Sequence, residues 1–252
     1  TRCLVGSEMC IRDSVDGVYT SDPNKVPTAK RLDKISYEEM LEMASLGAKV
    51  LQTRSVETAM NNDVVLRVLS SFSDIGEGKK GTLVCAEDRI ADKKIVTGVA
   101  ASTNDAKLTL IGIKDKPGVA AEILSVLADD GINVDMIVQN ISDDRKTTDL
   151  TCTVPSDESI RAKELMEGLS SNLFYKDLIV DTNISKISIV GVGMRSNAGV
   201  ASQMFRVLSE NNINIDVIST SEIKISVLIN KDFTEKALNT LHDYFELGNL
   251  SN

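Results

Sequence analysis

Hydrophobic and polar positions along the chain form one pattern that occurs twice. The first copy begins at residue 107 with KLTLIGIKDKPGVAAEILSVLADDGINVDMIVQN, and the second begins at residue 186 with KISIVGVGMRSNAGVASQMFRVLSENNINIDVISTS. From Gly118 and Gly199 onward the two copies align without a gap at a constant offset of 81 (199 minus 118). Such an alignment indicates a duplicated structural unit.

Each copy has the periodicity of a strand followed by a helix. Alternating apolar residues predict a strand with one buried face, and after the glycine turn the apolar residues recur at helical spacing. Gly131 in the first copy, and Asn211 and Asn212 in the second, predict the helix ends. A further strand and helix follow in each copy, at 148–154 and 159–169 and at 224–229 and 234–245. The predicted order is βαββα, which needs one more strand.

A candidate for the missing strand lies before the first copy. Residues 94–102, KIVTGVAAS, have a strand-like pattern but belong to neither copy by position. The second copy has no residues left for its last strand. We therefore predict that residues 94–102 complete the sheet of the second unit, so that the two units interlock.

The residues before the copies predict a separate region of helices and strands. Ser36 and Glu39 form an S-x-x-E capping box, which predicts a helix over residues 37–47. The other predicted elements of this region are a helix over 48–60, a buried strand over 64–72 and a short strand over 82–85. Turn-rich or charged segments predict a surface loop at 16–27, a second loop at 74–81 and a domain linker at 87–94.

Composition and charge exclude several classes of function. The chain has 252 residues, with 37 acidic against 28 basic residues and a pI near 4.8, which argues against a nucleic-acid partner. No apolar segment approaches the roughly 18 to 20 residues of a membrane span, so we expect a cytoplasmic protein with no membrane partner. The four cysteines show no CxxC spacing and His242 is the only histidine, so no metal site and no Cys-His nucleophile is expected.

The glycine turn of each copy is a candidate binding site. Gly118 and Gly199 stand where a strand becomes a helix, and the first N–H groups of a helix favour a carboxylate or another anion. With amides and hydroxyls from the second strand, the turn could hold a free amino acid. The alternative is that the glycines only permit close packing of helix and sheet and that the amides cap turns. The residues alone slightly favour this alternative.

Long motifs resemble a known enzyme family. The region before the copies resembles the C-terminal part of the aspartokinase catalytic domain, a member of the amino-acid kinase fold. The resemblance lies in VDGVYTSDPNKVPTAKRLDKISYEEMLEMASLGAKVLQTRSVETA followed by LRVLSSF. The two copies resemble the tandem ACT domains of the same family, in motifs that include DKPGVAAEI, INVDMIVQN and STSEIKISVLI. The resemblance covers residues 15–247. It implies phosphorylation of L-aspartate to 4-phospho-L-aspartate by Mg-ATP, without a prosthetic group, as the first step toward lysine, threonine and methionine.

The implied fold class is α/β and α+β, with a truncated amino-acid kinase domain followed by two ferredoxin-like (βαββαβ) ACT domains. The expected boundaries are 15–90 for the kinase fragment, 103–183 for the first ACT domain and 184–252 for the second, which strand 94–102 would complete. Residues 1–14, TRCLVGSEMCIRDS, look like translated sequencing-adaptor read-through, and we hypothesise that they are not native. The alternative is a frayed natural terminus.

The resemblance also implies nucleotide contacts. The VDGVYTSDP loop and the GAKV segment match motifs that lie against the nucleotide, so Tyr19, Asn24, Lys49 and Val50 are the expected ATP contacts. Asn24 departs from the family, which usually has Arg there, and Lys49 without the resemblance would be a solvated helix lysine. No catalytic residue is assigned, because these residues include neither the family's phosphate loop nor its aspartate-binding residues. The 252 residues alone are therefore expected to be inactive.

The implied regulatory site lies at the first glycine turn. Asp115 would take the ammonium group of an end-product amino acid, lysine or threonine. The N–H groups of Gly118, Val119 and Ala120 would take its carboxylate, and the amide of Gln139 would contact it from the next strand. The expected contacts from the second unit are Asn214, Ile215 and Ser221. Because the second turn has Ser196 in place of Asp115 and two extra residues, we expect it to bind weakly or not at all.

Exposed sheet edges and helix faces of ACT units predict a homodimer or higher oligomer through this region. The sequence has two alternative functional interpretations. The chain could be a non-catalytic, amino-acid-binding regulatory subunit of aspartokinase, or a plain ACT-type amino-acid sensor with no catalytic parent. The kinase-like segment 15–72 argues against both.

Overall fold

Three sheets organise the chain in a computed structural model that describes residues 3–5, 8–47, 50–72, 81–91, 94–141, 146–169 and 173–249. One five-stranded sheet lies in the region before the repeats, and each repeated unit has a four-stranded sheet. The mixed α/β and α+β class is thereby confirmed. No helix of this described part is long and apolar enough to cross a membrane.

The region before the repeats contains β1 (Cys3–Val5), β2 (Glu8–Asp13), β3 (Lys34–Ser36), α1 (Tyr37–Ser45), α2 (Thr53–Asn61), β4 (Val65–Ser70) and β5 (Thr82–Cys85). Its sheet has the strand order β1-β2-β4-β5-β3, with β2 parallel to β4 and β3 parallel to β5. The predicted capping box is present, because Ser36 Oγ accepts from Glu39 N and Glu39 Oε2 accepts from Ser36 N, both at 3.1 Å. Helix α2 begins five residues later than predicted, since Gln52 has an extended backbone. The loop predicted at 74–81 falls, except for residue 81, outside the described residues.

The two repeated units have the same internal architecture. The first contains β7 (Asp105–Lys114), α3 (Val119–Asp129), β8 (Asp135–Ile141), β9 (Thr147–Pro155), α4 (Ser159–Gly168) and β10 (Asp177–Asp181). The second contains β11 (Ile184–Val190), α5 (Val200–Glu210), β12 (Val217–Thr220), β13 (Lys224–Asn230) and α6 (Thr234–Tyr244). Gly131 and Asn212 follow helices α3 and α5 with φ of 78° and 57°, the left-handed conformation that ends a helix, as predicted.

The second unit's last strand comes from before the first unit. Strand β6 (Gly98–Ser102) pairs antiparallel with β11, with Ala100 opposite Ser188. The sheet orders β10-β7-β9-β8 and β12-β13-β11-β6 show that β6 takes the position that β10 has in the first unit. Because Val99 is fully buried in the core of the second unit, β6 contributes packing as well as backbone hydrogen bonds.

Ion pairs join the repeated units, and two of them are related by the repeat. Lys107 Nζ lies 2.6 Å from Asp216 Oδ2, and Lys186 Nζ lies 2.9 Å from Asp135 Oδ2. Each lysine is on the first strand of one unit, and each aspartate follows the first helix of the other. A small apolar cluster that includes Met136 accompanies them. The two units therefore face each other in a reciprocal, pseudo-twofold arrangement.

Residues 16–27 form a loop, as predicted, and residues 22–24 are exposed, but the prediction that the whole loop lies at the surface is wrong. Val18 and Thr20 are buried, and Val26 is fully buried within the hydrophobic core of the second repeated unit. The turn residues do form turns, but the few apolar residues between them insert into another part of the chain. A segment rich in Asp, Pro and Asn shows only its own polarity in the sequence, so its burial by a distant element could not be inferred.

Candidate functional site

A cavity of about 570 Å³ lies between the first region and the second repeated unit. Its walls are the loop after β2, the C-terminal end of α1, strand β6 with the residues after it, and Leu238 of α6. Three of the four residues expected to contact ATP line it, namely Tyr19, Asn24 and Val50. Lys49 lies outside the described residues. The volume falls within the range of roughly 300 to 1,000 Å³ that is usual for small-molecule sites.

Tyr19 is held at the cavity wall by its neighbours. Its hydroxyl donates to Asp16 Oδ1 at 2.8 Å, and the other oxygen of Asp16 pairs with Arg31 at 3.0 Å. Burial and the hydrogen bond to Asp16 raise the pKa of Tyr19 above its usual value of 10.0, so the phenol stays protonated at neutral pH. The ring therefore offers an uncharged, fixed surface.

Asn24 is less available than expected. Its backbone N–H and its side-chain Nδ2 both donate to Asp22 Oδ1 at 3.0 Å, which is a local turn interaction. Its amide would have to leave Asp22 to reach a ligand. Because the family usually has Arg here, this site has less positive charge than the family pattern implies.

The sequence did not reveal several residues that build the cavity. Ser21 lines it and is buried, and its hydroxyl has no hydrogen-bond partner among the described residues. Ala100 and Leu238 also line it, although both belong to the second repeated unit. No local signal marks Ala100 or Leu238, because each follows the periodicity of its own strand or helix. They line one cavity with the 16–30 loop only because this loop packs against the second repeated unit.

The first glycine turn is an exposed helix start. Gly118 adopts φ 91°, the left-handed conformation that glycine tolerates, and among the described residues no side chain caps α3. Gly118 O accepts from Glu122 N, and Ala120 lies in the first turn of the helix. The N–H of Val119 donates to Lys116 O at 3.3 Å, so this group is already used within the turn. Asp115 is exposed beside the turn, and its own N–H donates to Lys146 O at 2.8 Å.

The other expected effector residues lie in different places. Gln139 is exposed on the edge strand β8, Ile215 packs against the core of the second unit, and Ser221 N donates to Lys224 O at 2.7 Å. Asn214 lines a separate cavity of about 280 Å³, whose other walls include Asp181 and Phe233. No residue of the first turn lines that cavity. Within one chain, the expected contacts from the two units are therefore not gathered in that cavity.

No group of three or more His, Cys, Asp or Glu that could hold a metal ion occurs in the part of the chain that the structure describes. The thiols of Cys10, Cys85 and Cys152 are buried. Burial raises the pKa of Cys152 to about 11, so this thiol is not a nucleophile at neutral pH.

Two family models match the region before the repeats and the two repeated units, respectively. The model described as "Amino acid kinase family" matches residues 3–70, and the model described as "ACT domain" matches residues 108–167 and 187–245. The kinase match begins inside residues 1–14, whose foreign origin stays a hypothesis. The regulatory subunit of aspartate kinase from Thermus thermophilus is 39% identical, with a TM-score of 0.57, over 60% of this chain and 99% of its own.

The chain belongs to the aspartokinase family. The aspartokinase of Pseudomonas aeruginosa is 51% identical over 246 residues, which are 97% of this chain and 58% of that protein. This chain thus spans about three fifths of that relative's length. Escherichia coli aspartokinase III, solved with aspartate and ADP and with lysine and aspartate, is 27% identical, with TM-scores of 0.79 and 0.75. These alignments cover 94% and 95% of this chain and 52% of the aspartokinase III chain.

Proposed function

We propose that this chain is the nucleotide-side and regulatory part of an aspartate kinase, which transfers the γ-phosphoryl group of Mg-ATP to the side-chain carboxylate of L-aspartate. The observation that carries the proposal is one cavity, of about 570 Å³, shared by the VDGVYTSDP loop and an ACT unit. The product, 4-phospho-L-aspartate, leads toward lysine, threonine and methionine. Feedback by an end product is the role of the ACT pair.

In this proposal the chain's own residues bind and orient the nucleotide. Tyr19 presents an uncharged ring to the base or ribose, and Val50 contributes apolar surface. Lys49, beside Val50 in sequence, supplies an ammonium group to the phosphates, whose charge Mg²⁺ also neutralises when it enters with ATP. Buried Ser21, whose hydroxyl has no partner in the described part of the chain, offers a further hydrogen bond.

A chimera tests the catalytic proposal. It joins the N-terminal part of P. aeruginosa aspartokinase to this chain, which is 51% identical to the part it replaces. We expect turnover with aspartate and ATP on the order of 1 per second or more, as is usual for enzymes, and inhibition by lysine or threonine. A hydroxamate assay measures both, with the 252 residues alone as the inactive control. A folded chimera without turnover would contradict the kinase assignment.

The effector proposal concerns the first glycine turn. An amino acid would place its carboxylate at the start of α3, its ammonium group at Asp115 and a polar side chain near Gln139. Residues Asn214, Ile215 and Ser221 would close the site from a second unit, which in a homo-oligomer can belong to another copy. Exposed Ile137 and Ile218, at equivalent positions of edge strands β8 and β12, support such an association.

We expect lysine or threonine to stabilise the 252-residue chain by roughly 2.7 kcal/mol at 100 times its dissociation constant. A thermal-shift screen of the twenty amino acids measures this effect. Asp115→Ala and Gln139→Ala should abolish the response. Ser196→Ala, at the second turn, is the matched control and should keep it. A folded chain that responds to none of the amino acids would refute the effector site.

One comparison favours a second candidate, a regulatory subunit without catalysis. The T. thermophilus regulatory subunit aligns over 99% of its length with only 60% of this chain. Residues 3–70 match the kinase family model, and a regulatory subunit without catalysis would not need them. A chimera that is inactive, together with a 252-residue chain that binds an amino acid, would favour this candidate.

A further inference from the structure

The buried histidine of the second ACT unit contacts the loop that lines the large cavity. His242, on α6, is fully buried, and its Nε2 lies 2.9 Å from Thr20 Oγ1. Its Nδ1 lies 3.3 Å from Thr28 Oγ1. In the neutral ring one nitrogen donates and the other accepts, and each hydroxyl can do either. One side chain therefore ties both ends of the turn over residues 20–28.

Thr20 is the point at which the loop is fixed. Its N–H donates to Lys30 O at 2.9 Å, and its hydroxyl accepts from Lys30 N at 3.0 Å. Its carbonyl accepts from Val99 N of strand β6 at 2.8 Å. Thr20 thus has partners on its own loop, on β6 and on α6, and the residue before it is Tyr19 of the cavity wall.

Two further contacts connect the same helix to the same loop. Asn239 Nδ2, one turn before His242, donates to Lys25 O at 3.0 Å. Leu238 lines the cavity directly. No element of the kinase-like sheet provides a comparable set of side-chain bonds to residues 20–28 in the described structure. Thr82 of β5 holds the two ends of the loop at Val18 and Leu32, whereas the side-chain bonds to residues 20–28 come from the second ACT unit.

We infer that His242 is a positioning residue, through which helix α6 of the second ACT unit holds the 16–30 loop in the conformation that binds the nucleotide. The inference rests on the proposed function, because it takes the 570 Å³ cavity as the nucleotide site. It adds that the regulatory unit forms part of the wall of that site. A displacement of α6 would then change nucleotide affinity without any contact between effector and nucleotide.

Hydrogen exchange of the 252-residue chain tests the positioning step. His242→Leu replaces the imidazole with an apolar side chain of similar size and removes both bonds, whereas His242→Gln introduces an amide that can reach Thr20. We expect at least tenfold faster exchange over residues 20–30 in His242→Leu, with part of the protection restored in His242→Gln. Val207→Ala trims the same core from helix α5 and is the matched control for lost stability. Equal exchange in His242→Leu and Val207→Ala over these residues would overturn the inference.

The chimera described above tests the functional step. His242→Leu should raise the KM for ATP about tenfold, leave the KM for aspartate within about twofold, and His242→Gln should recover part of the loss. Asn239→Ala should shift the KM for ATP in the same direction. An active chimera whose KM for ATP is unchanged by His242→Leu would overturn the inference. An inactive chimera would instead count against the proposed kinase function, and the exchange experiment would still decide whether His242 positions the loop.

Discussion

Replacing Glu39 with alanine should lower the free energy of unfolding by about 3 to 5 kcal/mol, because it leaves several buried donors without an acceptor. Glu39 is only 2% exposed. Its Oε1 accepts from Thr97 Oγ1 at 2.7 Å and from Val192 N at 3.0 Å, and its Oε2 accepts from Ser36 N at 3.1 Å. This one carboxylate caps α1 and joins it to the second ACT unit.

Urea denaturation followed by circular dichroism measures the effect of Glu39→Ala. Glu39→Gln keeps one oxygen for Thr97 and Val192 but turns a donor toward the N–H of Ser36, so its loss should be intermediate. Glu57→Ala, at an exposed position of α2, is the matched control and should change stability by less than about 0.5 kcal/mol. If Glu39→Ala unfolds at the same urea concentration as Glu57→Ala, the proposed role of this carboxylate is wrong.

Replacing Lys186 with methionine should cost about 1 to 3 kcal/mol, since it leaves the largely buried Asp105 without its cation, whereas Asp135 is 63% exposed and can be hydrated. Lys186 Nζ lies 2.9 Å from Asp135 and 3.6 Å from Asp105, and the lysine side chain is 7% exposed. The equivalent Lys107 also has two carboxylates, Asp216 at 2.6 Å and Asp181 at 3.7 Å, but its side chain is 17% exposed. Lys107→Met should therefore cost less. Equal losses in thermal denaturation would show that the difference in burial does not matter.

The effect of Lys186→Met should also depend on pH. Burial alone would raise the pKa of Asp135, but the hydrogen bond and charge of Lys186 outweigh it, and the pKa is lowered from 3.8. A carboxyl with a lowered folded pKa adds stability above its unfolded pKa, and this stability is lost as pH falls through the folded value. The difference between wild type and Lys186→Met should thus be full at pH 7 and shrink below about pH 4. A difference that stays constant down to pH 2.5 would contradict this linkage.

Local elements were largely predictable because their signals are local. The capping box at Ser36 and Glu39 is present, the strand predicted over residues 82–85 is β5, and the helices after Gly118 and Gly199 begin directly at the turn. Each depends on neighbours within a few residues. The predicted start of helix α2, at residue 48, is five residues too early, because apolar residues at helical spacing also precede its first turn.

Contacts between distant segments were not predictable in the same way. Thr20 and His242 are 222 positions apart, and nothing in the sequence near either residue indicates the other. Glu39 also accepts hydrogen bonds from Thr97 and Val192, and the sequence, which indicates only the capping box, does not predict these bonds. In both cases a common residue type serves a partner that only the folded chain brings near.

By itself the sequence determined the duplicated unit, the helices and strands within it, and the resemblance to aspartokinase, because periodicity, caps and motifs are properties of neighbouring residues. The tertiary structure alone decided that Val18, Thr20 and Val26 of the 16–30 loop are buried, that His242 and Leu238 reach this loop, and that the expected effector residues of the two units do not share the 280 Å³ cavity within one chain. The physical reason is that burial and pairing of polar groups depend on which surfaces meet after the units pack. In this protein those surfaces come from opposite ends of the chain.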